Sequence, residues 1–243
     1  MRAATALSAI GISLVAAPAF VSASSLQATP IIVELRSPTA TTTMTLKNDS
    51  KESINAQVRV MRWSQAEGKE KLEPTADFVA SPPMTAIGAG SEQTIRLVRV
   101  SKAPVGAEES YRVIVDEIPD PAKRKIGQIA IAVRYSIPAF VIPGQPTDAK
   151  VTWTIERSAA GAALIATNAG SRRMKVMGLK LKDQSNATVS LGDGLNGYVL
   201  ARSSMRWTLP ATAAKLGSNG PIAISARSDI GPINAQVSTT PAR

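Results

Sequence analysis

The feature that most limits the fold of this chain is the recurrence of short segments rich in β-branched residues, with no sustained helical period. In the first half, the predicted strands are residues 27–35, 42–47, 54–63, 77–80, 93–100, 111–118 and 128–142. Asn48-Asp49-Ser50 and Gly88-Ala89-Gly90 lie between them, and both compositions favour chain reversal. Seven strands in roughly a hundred residues are typical of an immunoglobulin-like sandwich.

A run of proline and glycine, Pro143-Gly144-Gln145-Pro146, interrupts this pattern. Proline on both sides of glycine is a poor strand interior and favours a hinge. A second series of predicted strands follows at residues 149–156, 162–168, 174–183, 198–200, 205–209, 221–226 and 233–237. The sequence therefore predicts an all-β protein with two immunoglobulin-like β-sandwich domains, residues 24–143 and 147–243, joined by a short linker.

The first 23 residues have the arrangement of a secretory signal peptide. Met1 and Arg2 provide a short positive start, an apolar run covers residues 7–20, and Val21-Ser22-Ala23 resembles a cleavage site. The alternative is a membrane anchor, but the run is short and is broken by serine and proline. We therefore expect cleavage after Ala23, a location outside the cytoplasm and no membrane insertion of the mature chain.

The composition excludes several classes of chemistry. The chain has no histidine and no cysteine, so it cannot form a His or Cys metal site, a Ser-His-Asp triad, a catalytic thiol or a disulfide. Ser101 and Lys102 are adjacent, and neighbouring strand side chains point to opposite faces, so they make a poor catalytic pair. We expect no enzyme activity, no catalytic residue, no metal and no cofactor.

The net charge of +10, from 28 Lys and Arg against 18 Asp and Glu, favours anionic partners. Charge alone suggests nucleic acid, but the chain has only three Trp, three Tyr and three Phe to stack on bases. The predicted export also argues against it. We therefore expect no nucleic-acid partner.

The segment from residue 127 to residue 143 is long for a strand. Alternate residues form an apolar row on one face, and the opposite face carries Ala130, Ala132, Arg134 and Ser136. The apolar row consists of Ile129, Ile131, Val133, Tyr135 and Ile137. One interpretation is a core strand of the first domain. The other is an edge strand that pairs with another chain, because an exposed apolar edge is otherwise an aggregation hazard.

A series of motifs extends over essentially the whole mature chain. In the first domain they are Leu26-Gln27-Ala28-Thr29-Pro30, Val58-Arg59-Val60-Met61-Arg62-Trp63, Phe78-Val79-Ala80-Ser81-Pro82-Pro83, Gly90-Ser91-Glu92-Gln93-Thr94-Ile95-Arg96-Leu97 and Tyr111-Arg112-Val113-Ile114-Val115-Asp116-Glu117-Ile118-Pro119. In the second domain they are Trp153, Asn168-Ala169-Gly170, Gly197-Tyr198-Val199-Leu200 and Arg206-Trp207-Thr208-Leu209-Pro210. In this order and spacing the chain resembles the periplasmic pilus-assembly chaperones of the chaperone–usher pathway, the PapD-like family.

The resemblance implies a boomerang of two immunoglobulin-like domains that works in the periplasm and delivers pilin-like subunits to an outer-membrane usher. A pilin lacks one strand of its own sandwich, and the chaperone lends the long last strand of its first domain, which is donor-strand complementation. The donor row that fills the groove of the subunit would be Ile129, Ile131, Val133, Tyr135 and Ile137. Self-association of the free protein, which would cover the same strand, stays open.

Members of this family anchor the carboxyl terminus of the subunit with two basic residues, and here the resemblance is incomplete. Pro30 and Ser136 stand where the best-known branch has its arginine and its lysine. Arg134 lies on the same side of the strand as Ser136, about 7 Å along it. It is the first candidate, since a guanidinium matches a carboxylate in a bidentate fork; the alternative is a solvated charge without function. The further candidates are Arg96, Arg99 and Arg112.

A second departure concerns the contact between the domains. Glu117 is similar to an acidic residue of the best-known branch, but Phe140 replaces the arginine of the salt-bridge cluster that fixes the domain angle there. We expect either another arginine beside Glu117 or a more apolar interface. The ending Ile137-Pro138-Ala139-Phe140 is closer to the divergent branches that are called archaic or alternative.

An alternative from a different class is a secreted carbohydrate- or surface-binding β-sandwich module. Such a module needs exposed aromatic platforms. Trp63, Trp153 and Trp207 lie in alternating strand patterns, and we therefore predict that they belong to the core.

Overall fold

The computed structural model describes residues 26–120, 132–159, 161–217 and 220–239. The predicted signal peptide, residues 1–23, lies outside the described residues. So do Ile129 and Ile131, two members of the predicted donor row. Within the described ranges, no helix is long and apolar enough to cross a membrane.

The first of three sheets consists of four antiparallel strands. They are β1 (Leu26–Thr29), β3 (Thr41–Asn48), β6 (Phe78–Ser81) and β8 (Glu92–Arg99). Their order in the sheet is β1-β3-β8-β6. Buried residues alternate with exposed ones along these strands, as in a sheet with one face on a core.

The second sheet contains the long strand that the sequence singled out. Its strands are β2 (Val33–Arg36), β4 (Ile54–Ala66), β5 (Lys69–Pro74), β7 (Met84–Ile87), β9 (Glu109–Ile118) and β10 (Arg134–Ile142). The order is β2-β10-β9-β4-β5, and β7 pairs with the first part of β4. Strand β10 is antiparallel to β9 from Arg134 to Val141, whereas the parallel strand β2 reaches only Ala139 to Ile142.

The first segment of the chain changes sheets at Pro30. Residues 26–29 pair with β3 in the first sheet, and Val33–Arg36 pairs with β10 in the second. The sequence predicts a single strand over residues 27–35, and the structure corrects this to two. Proline has no N–H group to give to a ladder, so a strand is readily interrupted there.

The third sheet and its flanking strands contain all the strands after residue 150. They are β11 (Val151–Ser158), β12 (Gly161–Asn168), β13 (Met174–Lys182), β14 (Thr188–Ser190), β15 (Leu195–Val199), β16 (Ser204–Thr208), β17 (Ile222–Ser228) and β18 (Gly231–Thr239). The order is β14-β13-β17-β18-β11-β12-β16, and β15 pairs with β13. The described residues include one short 3-10 helix, Ala211–Lys215.

Each of the two groups of strands encloses its own hydrophobic core. The first core includes Leu46, Leu97 and Val113, and the second includes Leu164 and Leu181, all fully buried. All strands of the first two sheets precede residue 143, and all strands of the third follow residue 150. The prediction of an all-β protein with two β-sandwich domains is confirmed.

A buried asparagine closes a turn in the same way in both domains. Asn48 ends β3 and Asn168 ends β12, and both side chains are almost completely buried. The amide of Asn48 donates to the carbonyls of Glu52, Ile87 and Gly88. The amide of Asn168 donates to the carbonyls of Arg172, Val199 and Leu200, and its oxygen accepts the N–H groups of Lys150 and Gly170. These bonds tie each turn to backbone groups of neighbouring segments.

The three tryptophans lie in or against hydrophobic cores, as the sequence predicts. Trp63 and Trp153 are buried, and Trp207 stacks on Trp153 with ring centroids 5.9 Å apart. Trp207 Nε1 donates to the carbonyl of Asn196 over 2.8 Å. None of the three forms the exposed platform that carbohydrate binding requires.

Candidate functional site

The two domains meet through an aromatic cluster. Trp63 on β4, Phe140 on β10 and Tyr198 on β15 lie within 6 Å of one another, with ring centroids separated by 5.4, 5.8 and 5.9 Å. Ile142 and Leu200 complete this buried group. This part of the interface is therefore apolar.

A buried ion pair lies beside the aromatic cluster. Arg173 of the second domain is 3% exposed, and its Nη1 donates to Oε2 of Glu108 over 2.6 Å. Its guanidinium lies 3.6 Å from the centroid of the Phe140 ring, and Glu34 accepts a further bond from Nη2. The acidic residues that bind Arg173 are thus Glu108 and Glu34 and not Glu117, which lies opposite Ala56 near the far end of β9.

The hairpin of β4 and β5 also contacts the second domain. Gln65 Nε2 donates to the carbonyl of Tyr198 over 2.7 Å, and its Oε1 accepts the N–H of Leu200 over 2.9 Å. At the tip, the Gly68 carbonyl accepts the N–H of Arg206, and a Cβ on Gly68 would lie 2.5 Å from the Arg206 Cβ. The positive φ of 73° and this close approach both require glycine. The second domain therefore packs against the face of β4 that carries Trp63.

Arg112 on β9 lies directly on this face. Its guanidinium is 3.8 Å from the centroid of the Trp63 ring, and Nη1 is 3.4 Å from the carbonyl oxygen of Ser136. Burial lowers the pKa of Arg112, and the negative charge of Glu70 opposes this effect. In the described part of the chain, no carboxylate forms an ion pair with Arg112. Among the described residues, Arg112 is therefore a partly desolvated cation without an ion-pair partner, which suits an incoming carboxylate.

Arg134, the first candidate of the sequence, already has a carboxylate partner. Its side chain is 67% exposed and binds Asp116, whose other oxygen accepts Nη2 of Arg59 over 2.6 Å. Burial would raise the pKa of Asp116, but the hydrogen bonds from Arg134 and Arg59 outweigh it and hold the pKa below its usual range. Arg134 therefore belongs to a local ion-pair cluster at the far end of the sheet.

The Asp116 cluster makes a testable contribution to stability. Because the pKa of Asp116 is lower in the folded protein, its stabilisation is present above the ordinary value of 3.8 and disappears as the pH falls through the folded-state pKa. Asp116→Asn is expected to lower the free energy of unfolding by about 1 kcal/mol at neutral pH. Urea unfolding at neutral pH and at about pH 2 measures this. A difference between variant and parent that persists at about pH 2 would contradict the assignment.

Two other candidate arginines lie in the other sheet of the first domain. Arg96 and Arg99 lie on β8 in the first sheet, and Arg112 is in the second. Arg99 is almost buried, and Glu109 accepts two hydrogen bonds from it. Arg96 lines a shallow depression with Thr43, Ser81 and Thr94, away from the domain interface. Within the described ranges, no group of three or more acidic residues could hold a metal ion.

The first half of β10 offers a free edge for backbone pairing. The carbonyl of Val133 accepts the N–H of Glu117 over 3.0 Å, which directs the polar backbone groups of odd-numbered residues towards β9. Those of Arg134 and Ser136 therefore point away from β9. Among the described residues, no strand pairs with them on that side, because β2 begins only opposite Ala139. Pro138 has no N–H group and ends this free edge.

The described part of the predicted donor row faces the core of the first domain. Ile137 is 4% exposed and belongs to that core, and Tyr135 packs partly against it. The Tyr135 hydroxyl also donates to the carbonyl of Leu26. Ile137 therefore fills the core of its own domain, whereas a role for the half-buried Tyr135 in filling the groove of another protein stays a prediction. Val133 is half-buried and lies beside Arg134 in a shallow groove.

Comparisons with known proteins agree with this geometry. The family model described as "Pili and flagellar-assembly chaperone, PapD N-terminal domain" matches residues 25–146, half of the chain. No curated protein sequence matches.

Several solved structures share the fold. The archaic CsuC-CsuE chaperone-tip adhesion subunit complex of Acinetobacter baumannii has 24% identity, a TM-score of 0.69, and coverage of 89% of this chain and 99% of that one. The Escherichia coli chaperone DraB has 22% identity and a TM-score of 0.60, with coverage of 88% of this chain and 97% of that one. The complex of the Salmonella enterica SafA pilin with the SafB chaperone has 17% identity and a TM-score of 0.61, with coverage of 89% of this chain and 98% of that one. By the family model and the fold together, this chain belongs to the pili and flagellar-assembly chaperones with a PapD N-terminal domain.

Proposed function

We propose that this protein is a periplasmic chaperone of an archaic or alternative branch. It binds pilin-like subunits by donor-strand complementation and delivers them to an outer-membrane usher. The observation that carries the proposal is the free edge of β10, which lies beside the guanidinium of Arg112. The structures of the Csu and Saf chaperones with a tip subunit and a pilin support it by their fold.

The position of Arg112 sets the direction of the bound strand. Arg112 reaches the carbonyl of Ser136, at the end of the free edge that lies next to β2. A strand that brings its terminal carboxylate to Arg112 must therefore run in the same direction as β10. Strand β2 is also parallel to β10, so the subunit strand would lie in line with β2 and continue its row. Main-chain hydrogen bonds supply this pairing without regard to sequence.

Arg112 is proposed as the anchor of the subunit carboxylate. A hydrogen bond to a charged group contributes about 1.5–3 kcal/mol, and more where both groups are desolvated. Arg134 and Arg99 already bind carboxylates of their own domain, whereas Arg112 has none among the described residues. Val133 and the two isoleucines outside the described residues, Ile129 and Ile131, remain the proposed donor side chains.

A proline at position 136 tests the pairing edge. The N–H of Ser136 points away from β9, so Ser136→Pro removes a donor that the folded protein does not use, and edge positions tolerate proline. Ser136→Ala is the matched control because it keeps the N–H. In periplasmic co-expression with a pilin-like subunit, Ser136→Pro should reduce recovered subunit about tenfold or more while Ser136→Ala does not.

Two outcomes decide this test. Thermal melting must show that both variants fold as the parent does. Recovery of equal amounts of subunit with Ser136→Pro and Ser136→Ala would remove the edge of β10 from the mechanism. Size-exclusion chromatography of the same samples tests self-association, which Ser136→Pro would also weaken if two copies paired through this edge.

A further inference from the structure

We propose that Tyr198 of the second domain is a positioning residue for Arg112, and that it acts through the ring of Trp63 without touching the subunit. The inference rests on the proposed function, because it concerns how the carboxylate anchor is held in place. The observation behind it is a continuous stack of side chains from the second domain to the guanidinium.

The first step of the stack is the contact between Arg112 and Trp63. An arginine side chain has four rotatable torsions, and ordering it on binding opposes affinity. Here the guanidinium already lies 3.8 Å from the Trp63 ring centroid. A cation over an aromatic face is attracted by the ring quadrupole, more strongly where water is excluded. The Trp63 ring therefore holds the guanidinium beside the free edge before a subunit arrives.

The second step is the support of Trp63 by Tyr198. The two rings meet edge to face, with centroids 5.4 Å apart and planes at 86°. Tyr198 is almost completely buried, and its backbone carbonyl accepts the side-chain amide of Gln65 on the same strand as Trp63. Both the ring of Trp63 and the strand that bears it are thus fixed by Tyr198.

This stack assigns the second domain a part in capture. The ring contact and the hydrogen bond of Arg112 are with Trp63 and Ser136 of the first domain, and Tyr198 of the second domain also acts on the pKa of Arg112 through its charge. Trp63 is nevertheless buried by Tyr198, together with Phe140. Without the Tyr198 ring, Trp63 would lose a packing contact and its ring would be held less firmly. The Arg112 guanidinium would then sample more orientations before binding.

The test compares two forms of one probe. The probe is a synthetic peptide with the sequence of the last strand of a pilin-like subunit, prepared as the free acid and as the C-terminal amide. The measured quantity is the ratio of the two dissociation constants, which reports on the carboxylate contact alone. The parent is expected to prefer the acid about tenfold or more, and Arg112→Ala to lose this preference.

The variants separate positioning from general stability. Tyr198→Leu is expected to bring the ratio of the two dissociation constants close to one, with unchanged affinity for the amide peptide. Tyr198→Phe is expected to keep the parent ratio because it keeps the aromatic ring. Trp63→Phe, with a smaller aromatic face, should be intermediate. Tyr198→Met, of similar volume, replaces the leucine variant if that one melts below the assay temperature.

The outcomes are distinguishable. A parent ratio that Arg112→Ala abolishes and Tyr198→Leu leaves intact overturns the positioning role alone. A parent ratio of one overturns the anchor in the proposed function, and the positioning role with it. Equal losses of affinity for acid and amide in Tyr198→Leu would show a merely structural role and would also overturn the inference.

Discussion

Replacement of Glu108 by alanine is expected to destabilise the protein by about 3–5 kcal/mol. The carboxylate is fully buried and binds both the backbone N–H and the guanidinium of Arg173, which is itself buried against Phe140. Removal of Glu108 leaves the buried guanidinium with only the half-exposed carboxylates of Glu34 and Asp229, and a buried charge that loses its buried partner is strongly destabilising. Urea denaturation at neutral pH measures the loss as a shift of the unfolding midpoint.

Two matched variants test the cause of this loss. The double variant Glu108→Ala with Arg173→Met removes both charges and should recover most of the stability. Glu34→Ala removes the half-exposed partner of Arg173 and leaves the bond to Glu108, so it should cost less than about 1 kcal/mol. If the double variant is no more stable than Glu108→Ala alone, the unpaired charge is not the cause.

Replacement of Asn168 by alanine is expected to cost at least about 3 kcal/mol. The side chain makes five hydrogen bonds with backbone groups, and the change leaves three carbonyls and two N–H groups at a buried turn without these partners. Each such group costs about 1–3 kcal/mol when no water replaces the bond. Thermal melting and urea denaturation measure the effect.

The control for Asn168 is an asparagine in the same domain that lacks these bonds. Asn234 is exposed on β18, and Asn234→Ala should change the free energy of unfolding by less than about 0.5 kcal/mol. Asn48→Ala in the first domain is expected to resemble Asn168→Ala, because it removes an equivalent set of bonds. Equal effects of Asn168→Ala and Asn234→Ala would contradict the role of the buried amide.

The alternation of apolar residues predicted most strands but missed β5, β7 and β14. Strand β5 shows the reason most clearly. Residues 69–74 (KEKLEP) are charged and exposed on both faces, so they have none of the alternation that marks a half-buried strand. They form a strand because Glu67 and Gly68 adopt positive φ and turn the chain back along β4. Local turn geometry and pairing with a stable neighbour therefore decided the structure of this segment.

The candidate arginines show what a single sequence can provide. Arg112 was among the four candidates, but its rank depended on pairings between residues far apart in the chain. Asp116 neutralises Arg134, and Glu109 neutralises Arg99. Strand register brings these groups together, and the amino-acid sequence alone does not show register.

The row on β10 shows the same limit in another form. The period of two correctly assigned Val133, Tyr135 and Ile137 to one face. It could not tell where that face passes from the first domain's own core to a surface free for a partner. The position of this change depends on which strand lies on the side of β10 away from β9. On that side β2 begins only opposite Ala139.

Pro138 gives the proposed pairing edge of β10 a fixed end point. A strand added in the proposed way would run parallel to β10 and could make no further bond to an N–H group beyond Ser136, since residue 138 has none and β2 occupies the edge from Ala139 onward. Subunits of different length would therefore be aligned from their carboxyl ends. The same protein could then serve several related subunits in one common register, with differences between them confined to the residues furthest from Arg112.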